Sequence, residues 1–313
     1  MSTTMLNARK SEGRQQRLLR IFSYLILLVS LSAYGFWQAV LPIAPASLIL
    51  GQMGVLAVLL LVAQLWPVLR PLRHFILIAL LVNAITGWLI PLVRNTSLWA
   101  GWFGTTNLTF WQANAGELFL KLATTLLVIA LLLIAGFRRT DFFLVKGQLD
   151  APVQPVRGLG MKTGQPWSEY GRNFALLTFI IILAATLLPN LARFGLDSVG
   201  QALPLLPAAL LFAAMNSIYE EVVFRAAFLA PLVPVIGQGH ALAITILLFG
   251  LGHLTGAVPS GIVGVLLAGF FALVIGKAML ETKGIVWPWI CHFAADTAVF
   301  IFLAIATTAG AIQ

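Results

Sequence analysis

The sequence has few charged residues and almost no cysteine. Asp, Glu, Lys and Arg make up 9% of the 313 residues, whereas 60% are hydrophobic and the mean hydropathy is +0.98. A soluble domain carries roughly 25% charged residues, so this chain has too few to cover a water-facing surface. The single cysteine, Cys291, cannot form an internal disulfide and lacks the Cys/His spacing of a zinc finger. The composition excludes a predominantly soluble enzyme, a disordered tail protein and a secreted disulfide scaffold, and it predicts a membrane protein.

The charges that are present are mostly positive and stand at the ends of apolar runs. The net charge is +9, but the cations form no basic patch of the kind that binds nucleic acid, so we expect no nucleic-acid partner. Most lie before residue 21, at 70–73, within 138–172, and at Lys277 and Lys283. Because cytoplasmic loops are rich in Lys and Arg, this distribution predicts a cytoplasmic N-terminus. We expect a multi-pass protein of a bacterial-type cytoplasmic membrane, with the lipid bilayer as its surroundings.

The spacing of the charges predicts an all-α, polytopic bundle of about eight or nine transmembrane helices. A span needs about 20 apolar residues, because the hydrocarbon core is roughly 30 Å thick. No charged residue occurs from Ile21 to Leu69, which is too long for a signal peptide and fits two spans with a turn near Pro42 to Pro45. The further spans are predicted at about 75–93, 118–137, 173–192 and 205–233, from 241, and at 261–280 and 285–308.

A segment rich in proline and glycine divides the predicted bundle. We expect a basic cytoplasmic N-terminus at 1–20, a four-helix membrane part at 21–137, a cytoplasmic linker at 138–172 and a C-terminal membrane domain at 173–313. In this topology Lys121 stands near the outer end of the fourth span. No internal sequence repeat is present, which disfavours a transporter built from duplicated halves.

The ionisable residues at predicted membrane depth all lie in the C-terminal part. Such groups are costly there and are candidates for function by default. In the stretch from Tyr219 to Arg225, Glu221 and Arg225 are i,i+4 neighbours and are expected to form a structural ion pair. The side chain of Glu220 lies about 100° around the helix from that of Glu221. It is therefore expected not to share Arg225 equally and to have a different role. A plainer alternative is that all three side chains extend to the cytoplasmic surface.

Two further candidates follow along the chain. His253 ends the run Phe249-Gly-Leu-Gly-His253, and it could also be an ordinary core histidine. His292 and Asp296 are i,i+4 neighbours on an otherwise uncharged helix, so both can converge on one point or the acid can orient the imidazole. They could also form a buried pair that only ties helices together.

Taken in order, Glu220-Glu221-x-x-x-Arg225, Phe249-x-x-x-His253 and His292-x-x-x-Asp296 resemble the motifs of the CPBP family of intramembrane proteases. This family includes the type II CAAX prenyl endopeptidases and the bacterial Abi proteins linked to bacteriocin immunity. The resemblance covers about 205–308. It implies an endopeptidase of the metalloprotease type that hydrolyses a peptide bond of a membrane-associated peptide or protein, as in CAAX-box processing. The resemblance further implies that the site faces the cytoplasm.

The resemblance also implies roles for the residues. Glu220 matches the catalytic glutamate, His253 the histidine that shares the water, and His292 with Asp296 the pair that stabilises the oxyanion or completes a metal site. Two departures from the family occur: Ala226 follows the arginine where glycine is common, and Asp296 stands where the prenyl proteases often have asparagine. An ionised Asp296 cannot donate a hydrogen bond to an oxyanion.

The sequence leaves two mechanisms and two other functions open. Without a metal, Glu220 takes the proton of a water held by His253 while His292 donates to the oxyanion. With Zn²⁺, the ligands are His253, His292 and either Glu220 or Asp296, with an open position for water. The alternatives to a protease are a non-catalytic membrane partner or immunity protein with the same fold, and a proton-coupled transporter.

Overall fold

The computed structural model describes residues 3–30, 37, 40–41, 43–104, 108–255 and 259–311. Within these ranges the chain is helical, with no strand and one isolated bridge between Pro152 and Pro166. The all-α prediction is therefore confirmed. Pro42, at the turn predicted between the first two spans, and much of the second half of the first span lie outside the described residues.

The helices are numbered here in chain order. The first six are α1 (Thr3–Val29), α2 (Pro45–Leu65), α3 (Arg73–Asn83), α4 (Ile90–Arg94), α5 (Ser97–Phe103) and α6 (Phe110–Ile134). The others are α7 (Trp167–Leu187), α8 (Leu191–Ala202), α9 (Leu206–Glu221), α10 (Ala227–Ile236), α11 (Gln238–Gly252), α12 (Gly261–Thr282) and α13 (Val286–Thr308). Short 3₁₀ turns lead into α3, α8 and α9, and π-helical turns occupy Ala84–Leu89 and Val222–Ala226.

Six stretches of the described chain are long and apolar enough to cross a membrane, by length and composition. They are Pro45–Leu65, Arg70–Arg94, Phe110–Ile134, Trp167–Ile236, Gly261–Thr282 and Val286–Thr308. The fourth is a run of consecutive helices that contains both the fifth and the sixth predicted spans. The protein is thus a polytopic integral membrane protein, with a number of spans close to that predicted.

The chain forms two compact units, each built from several chain segments. The first unit comprises 1–91, 132–142 and 224–276. Its interior is mostly apolar, with Phe75 and Phe228 packed edge to face at 5.8 Å between ring centroids. Gly250 lets α11 approach α12 closely, because a Cβ there would stand 2.9 Å from the carbonyl oxygen of Val265.

The second unit comprises 92–131, 143–223 and 277–313. Helix α13 packs along α7, α8 and α9, around a core of Phe194, Phe212 and Phe300. Gly171 brings α7 against α13, since a Cβ at this position would lie 2.6 Å from the ring of Trp287. The sulfur of Cys291 is buried beneath this contact, 3.5 Å from the carbonyl oxygen of Gly171.

Residues 143–166, which we term the strap, lie against the turn between α12 and α13. The N–H of Gln148 donates to the carbonyl oxygen of Thr282 at 2.7 Å, and the N–H of Ile285 donates to that of Val145 at 3.1 Å. Gly147 and Gly284 meet backbone to backbone. A Cβ on Gly147 would stand 2.8 Å from the Cα of Gly284.

A polar group that we term the Glu281 cluster anchors the end of the strap. The indole N–H of Trp167 and the backbone N–H of Gln154 donate to Oε2 of Glu281, at 2.8 and 3.2 Å. Lys277 pairs with Oε1 of the same carboxylate. Trp167 is fully buried. The strap and the first residue of α7 are therefore both bonded to one carboxylate, which accepts from three donors.

Candidate active site

Helices α9 and α13 of the second unit bring together four of the predicted site residues. Nε2 of His292 lies 3.3 Å from Oε2 of Glu220 and 3.9 Å from Oδ1 of Asp296. Nδ1 of the same ring lies 2.7 Å from Oε1 of Glu221. Three carboxylates thus surround one imidazole at the crossing of two apolar helices.

The four side chains are largely withdrawn from solvent. The side chain of Glu221 is 0% exposed, that of His292 4%, that of Asp296 14% and that of Glu220 19%. Glu220 is therefore the most accessible member of the group. Charges interact more strongly where water is excluded. Small displacements of these groups therefore change the electrostatic interaction energy between them considerably.

The helical spacing explains this geometry. His292 and Asp296 are one turn apart on α13, so both face α9, as the i,i+4 pattern predicts. Glu220 and Glu221 are adjacent on α9 and approach the imidazole from two sides. An ionised carboxylate only accepts hydrogen bonds, so Nδ1–H of His292 donates to Glu221, and this contact fixes the orientation of the ring.

This role of Glu221 differs from the structural ion pair with Arg225 that the sequence predicts. Glu221 belongs to the second unit and Arg225 to the first, so that pairing stays a prediction. Arg225 is buried, and its Cζ lies 5.3 Å from the centroid of the Phe249 ring within the first unit. This distance is within the range of a cation–π contact.

His253 also belongs to the first unit. It directly follows the last residue of α11, and its Nδ1 lies 3.0 Å from the carbonyl oxygen of Phe249. The motif spacing is therefore visible in the structure, because residues one turn apart in Phe249-x-x-x-His253 are in contact. The part of His253 in catalysis stays a prediction.

Two residues of the site were missed by the sequence reasoning. Asn216, one turn before Glu220 on α9, donates through Nδ2 to Oε1 of Glu220 at 3.1 Å and to Oδ2 of Asp296 at 3.0 Å. Lys121 on α6 donates to Oδ1 of Asn216, and its Nζ lies 3.8 Å from Oε1 of Glu220. A polar Asn one turn from the glutamates in an apolar helix was a usable signal.

The structure corrects the predicted start of one helix, and this changes where Lys121 lies along that helix. The fourth span was expected to begin near Leu118, which would put Lys121 in its first turn, whereas α6 begins at Phe110. The polar residues Gln112, Asn114 and Glu117 precede the predicted start of this span but are helical. Lys121 therefore stands about three turns into its helix rather than at its end.

The described residues offer no ready metal centre. No group of three or more His, Cys, Asp or Glu side chains in the described ranges is arranged so that it could hold a metal ion. His292 directs one nitrogen to Glu221 and the other to Glu220. Because His253 belongs to the first unit and His292 to the second, the predicted zinc ligand set of His253, His292 and Glu220 or Asp296 stays a prediction.

Comparison with known proteins supports a protease for this part of the chain. Residues 202–298 match the model of the Rce1-like family, which is described as type II CAAX prenyl endopeptidase Rce1-like. The matched segment includes Asn216, Glu220, Glu221, His292 and Asp296 but not Lys121. No curated protein and no solved structure gives a significant match. The resemblance seen in the sequence motifs is confirmed for this segment, and the protein is similar there to membrane endopeptidases of the CAAX type.

Proposed function

We propose that the protein is an intramembrane endopeptidase that hydrolyses a peptide bond of a membrane-associated peptide or protein. The observation that carries the proposal is the contact between Glu220 and His292, at 3.3 Å, in the segment that matches the CAAX endopeptidase family. A carboxylate beside an imidazole in apolar surroundings is a suitable pair for proton transfer during amide hydrolysis.

In the proposed reaction Glu220 is the general base. Its carboxylate takes a proton from water as the water oxygen attacks the carbonyl carbon of the substrate. When the C–N bond breaks, that proton passes to the leaving amine nitrogen, which leaves a carboxylic acid and an amine. His292, held by Glu221, donates to the oxygen on which negative charge develops. As the resemblance implies, we assign to His253 the positioning of the water.

Asp296 has a supporting role in this mechanism. It faces the same imidazole nitrogen as Glu220 and accepts a hydrogen bond from Asn216. An ionised Asp296 cannot donate to an oxyanion, so an oxyanion contact from this position is not part of the proposal. Its place one turn from His292 suits it to orient the imidazole.

The class of substrate follows from the family, and we propose a CAAX-type, lipidated C-terminus as one form of it. Bacteriocin-type or other membrane peptides are the second form. The distribution of cations favours a site that opens to the cytoplasm. A cysteine introduced beside Glu220 and labelled from either side of the membrane would establish which face the site opens to.

The test is a comparison of protein termini in membranes from the native host, with its chromosomal gene encoding either the wild type or Glu220→Ala at matched protein levels. We expect new C-termini or N-termini with the wild type alone. New C-termini that end in a lipidated cysteine would identify CAAX-type substrates. Identical termini with equal amounts of folded protein would contradict the protease and favour a non-catalytic partner or immunity protein.

A second measurement addresses the metal. The appearance of wild-type-dependent termini is followed in isolated membranes before and after treatment with a strong zinc chelator. The mechanism through Glu220 and His292 predicts an unchanged rate. A loss that added Zn²⁺ restores would favour the alternative mechanism, in which His253, His292 and either Glu220 or Asp296 bind zinc.

A further inference from the structure

Lys121 reaches the candidate active site from a part of the chain that the family match does not include. It lies on α6, and the match begins at residue 202. Its ammonium group contacts Oδ1 of Asn216, stands 3.8 Å from Oε1 of Glu220, and lies 5.3 Å from the centroid of the Tyr219 ring. All of these contacts are within the second unit.

The contact with Lys121 settles which end of the Asn216 amide faces which neighbour. A lysine only donates hydrogen bonds, so the atom that it contacts is the amide oxygen. The amide nitrogen then faces the two carboxylates and donates to Glu220 and Asp296. Asn216 therefore uses both of its hydrogens and its oxygen, and its orientation follows from Lys121 on one side and the acids on the other.

The charges at the site give this arrangement an energetic reason. Glu220, Glu221 and Asp296 lie around one imidazole, and like charges close together in a water-poor site repel strongly. Lys121 places a positive charge beside Glu220, the most accessible of these acids. The side chain of Lys121 is 31% exposed and that of Glu220 is 19% exposed. Lys121 is therefore more accessible than the acid that it approaches.

We propose that Lys121 is a positioning residue for Glu220. Its ammonium group fixes the Asn216 amide, the amide holds the Glu220 carboxylate in one orientation, and the positive charge offsets the crowding of acids there. The inference rests on the proposed function, in which Glu220 is the base. It adds that a residue of the N-terminal half is required for the full rate.

The experiment follows the rate at which wild-type-dependent termini appear in membranes of the native host, at matched amounts of folded protein. Lys121→Met keeps the length of the side chain but removes the charge and the donor. We expect its rate to fall roughly 10- to 100-fold, the range that misplacement of a reacting group produces. Lys121→Arg keeps a cation that can donate to Asn216, and it is expected to retain most of the rate.

Two further variants distinguish a positioning role of Lys121 from a purely structural contact between helices. Because Lys121 acts in part through Asn216, the double variant of Lys121→Met and Asn216→Ala should lose less rate than the product of the two single losses. Glu117→Gln is the matched control, because Glu117 lies one turn earlier on α6 in an exposed pair with Arg94. It should leave the rate at the wild-type level.

The outcomes are distinguishable. No difference in termini between the wild type and Glu220→Ala overturns the proposed function itself. If the wild type cleaves and Lys121→Met cleaves equally fast, or if the two losses multiply in full in the double variant, the positioning role alone is overturned. If Lys121→Met does not fold, Lys121→Leu replaces it, because leucine also lacks the charge and the donor, and a wild-type rate in that variant is also contrary to the proposal. Failure of both to fold while Glu117→Gln is normal would make Lys121 a folding residue and overturn the inference.

Discussion

The second unit contains two buried polar clusters that differ in how their acids are matched. In the Glu281 cluster one carboxylate receives three donors, from Lys277, Trp167 and Gln154. In the candidate active site three carboxylates approach one imidazole, and one amide donates to two of them. The first arrangement satisfies its acid and holds the strap in place. The second keeps like charges close together, a condition that favours proton transfer and is common at functional sites.

This difference teaches that burial of a glutamate does not by itself indicate function. Glu281 and Glu220 have similar side-chain exposures of 12% and 19%, and each lies near a lysine. The neighbouring groups distinguish them: Glu281 accepts from a lysine, an indole and a backbone N–H, whereas Glu220 faces a histidine that two other acids also approach. Variants of the two clusters should therefore fail in different ways.

The largest effect is expected from Glu220→Gln. It removes the base but keeps the shape of the side chain, and its amide oxygen can still accept from Asn216. We expect proteolysis to fall by about 10²- to 10⁴-fold, with little change in the thermal unfolding temperature of the purified protein in detergent. Glu281→Gln is the counterpart and should leave the rate per folded molecule unchanged. An equal loss of rate in both variants would remove the distinction between the clusters.

Glu281→Ala should have the next largest effect, on stability. It deprives the Trp167 indole, the Gln154 N–H and Lys277 of their acceptor, and breaking such a buried pair costs about 3–5 kcal/mol of the free energy of unfolding. Denaturant unfolding in detergent measures the change. Glu169→Ala, an exposed acid near the start of α7, is the control. A stability equal to the wild type would mean that the strap is held by other contacts.

Gly171→Ala is expected to lower the free energy of unfolding by about 1–3 kcal/mol, as overpacking in a dense interior does. The new methyl group would meet the ring of Trp287 at 2.6 Å. Gly200→Ala on α8 is the matched control, since nothing lies within 4 Å of a Cβ there. Thermal unfolding of the two variants side by side should separate them. Equal stabilities would show that α7 and α13 can move apart without cost.

The smallest effect is expected at the pair of Arg94 and Glu117. Their side chains are 45% and 42% exposed, and exposed ion pairs contribute only about 0–1 kcal/mol. Glu117→Gln should change the unfolding temperature little in low salt. A large loss would indicate that α6 is held by this pair, and it would weaken the comparison with Lys121 on the same helix.

Much of the fold followed from the spacing of charges. The eighth and ninth spans, predicted at 261–280 and 285–308, correspond to α12 (Gly261–Thr282) and α13 (Val286–Thr308). A long apolar run between charged ends admits only a helix in a bilayer, so its bounds can be read directly. The predicted start of α6 was wrong, because the first turns of this helix contain polar residues and so have the composition of a loop.

The region before His253 also differed from a simple span. Helix α11 begins at Gln238 and is shorter than a span requires, since Gly237, with φ of 84°, separates it from α10. Pro231 and Pro234, which precede this helix in the sequence, both lie within α10. Their location inside a helix could not be derived, because tertiary packing decides whether a proline ends or only bends a helix.

Within the candidate site, the i,i+4 spacing correctly predicted that His292 and Asp296 lie on one face of a helix. Asn216 could have been found by the same rule applied backwards from Glu220. Lys121 could not, because it is separated from Asn216 by 95 positions, and no local pattern reports which distant helix packs against α9. The contact of Glu221 with His292 likewise depends on how two helices cross.

The contact between Gly147 and Gly284 has a genetic consequence. Most tight contacts in a protein can be restored after an enlarging substitution by a smaller residue at the partner position. Here both partners are already the smallest residue, and a side chain on Gly147 would meet backbone rather than a movable side chain. A selection for revertants of Gly147→Ala should therefore yield the original glycine again, or changes elsewhere in the strap, and no suppressor at position 284.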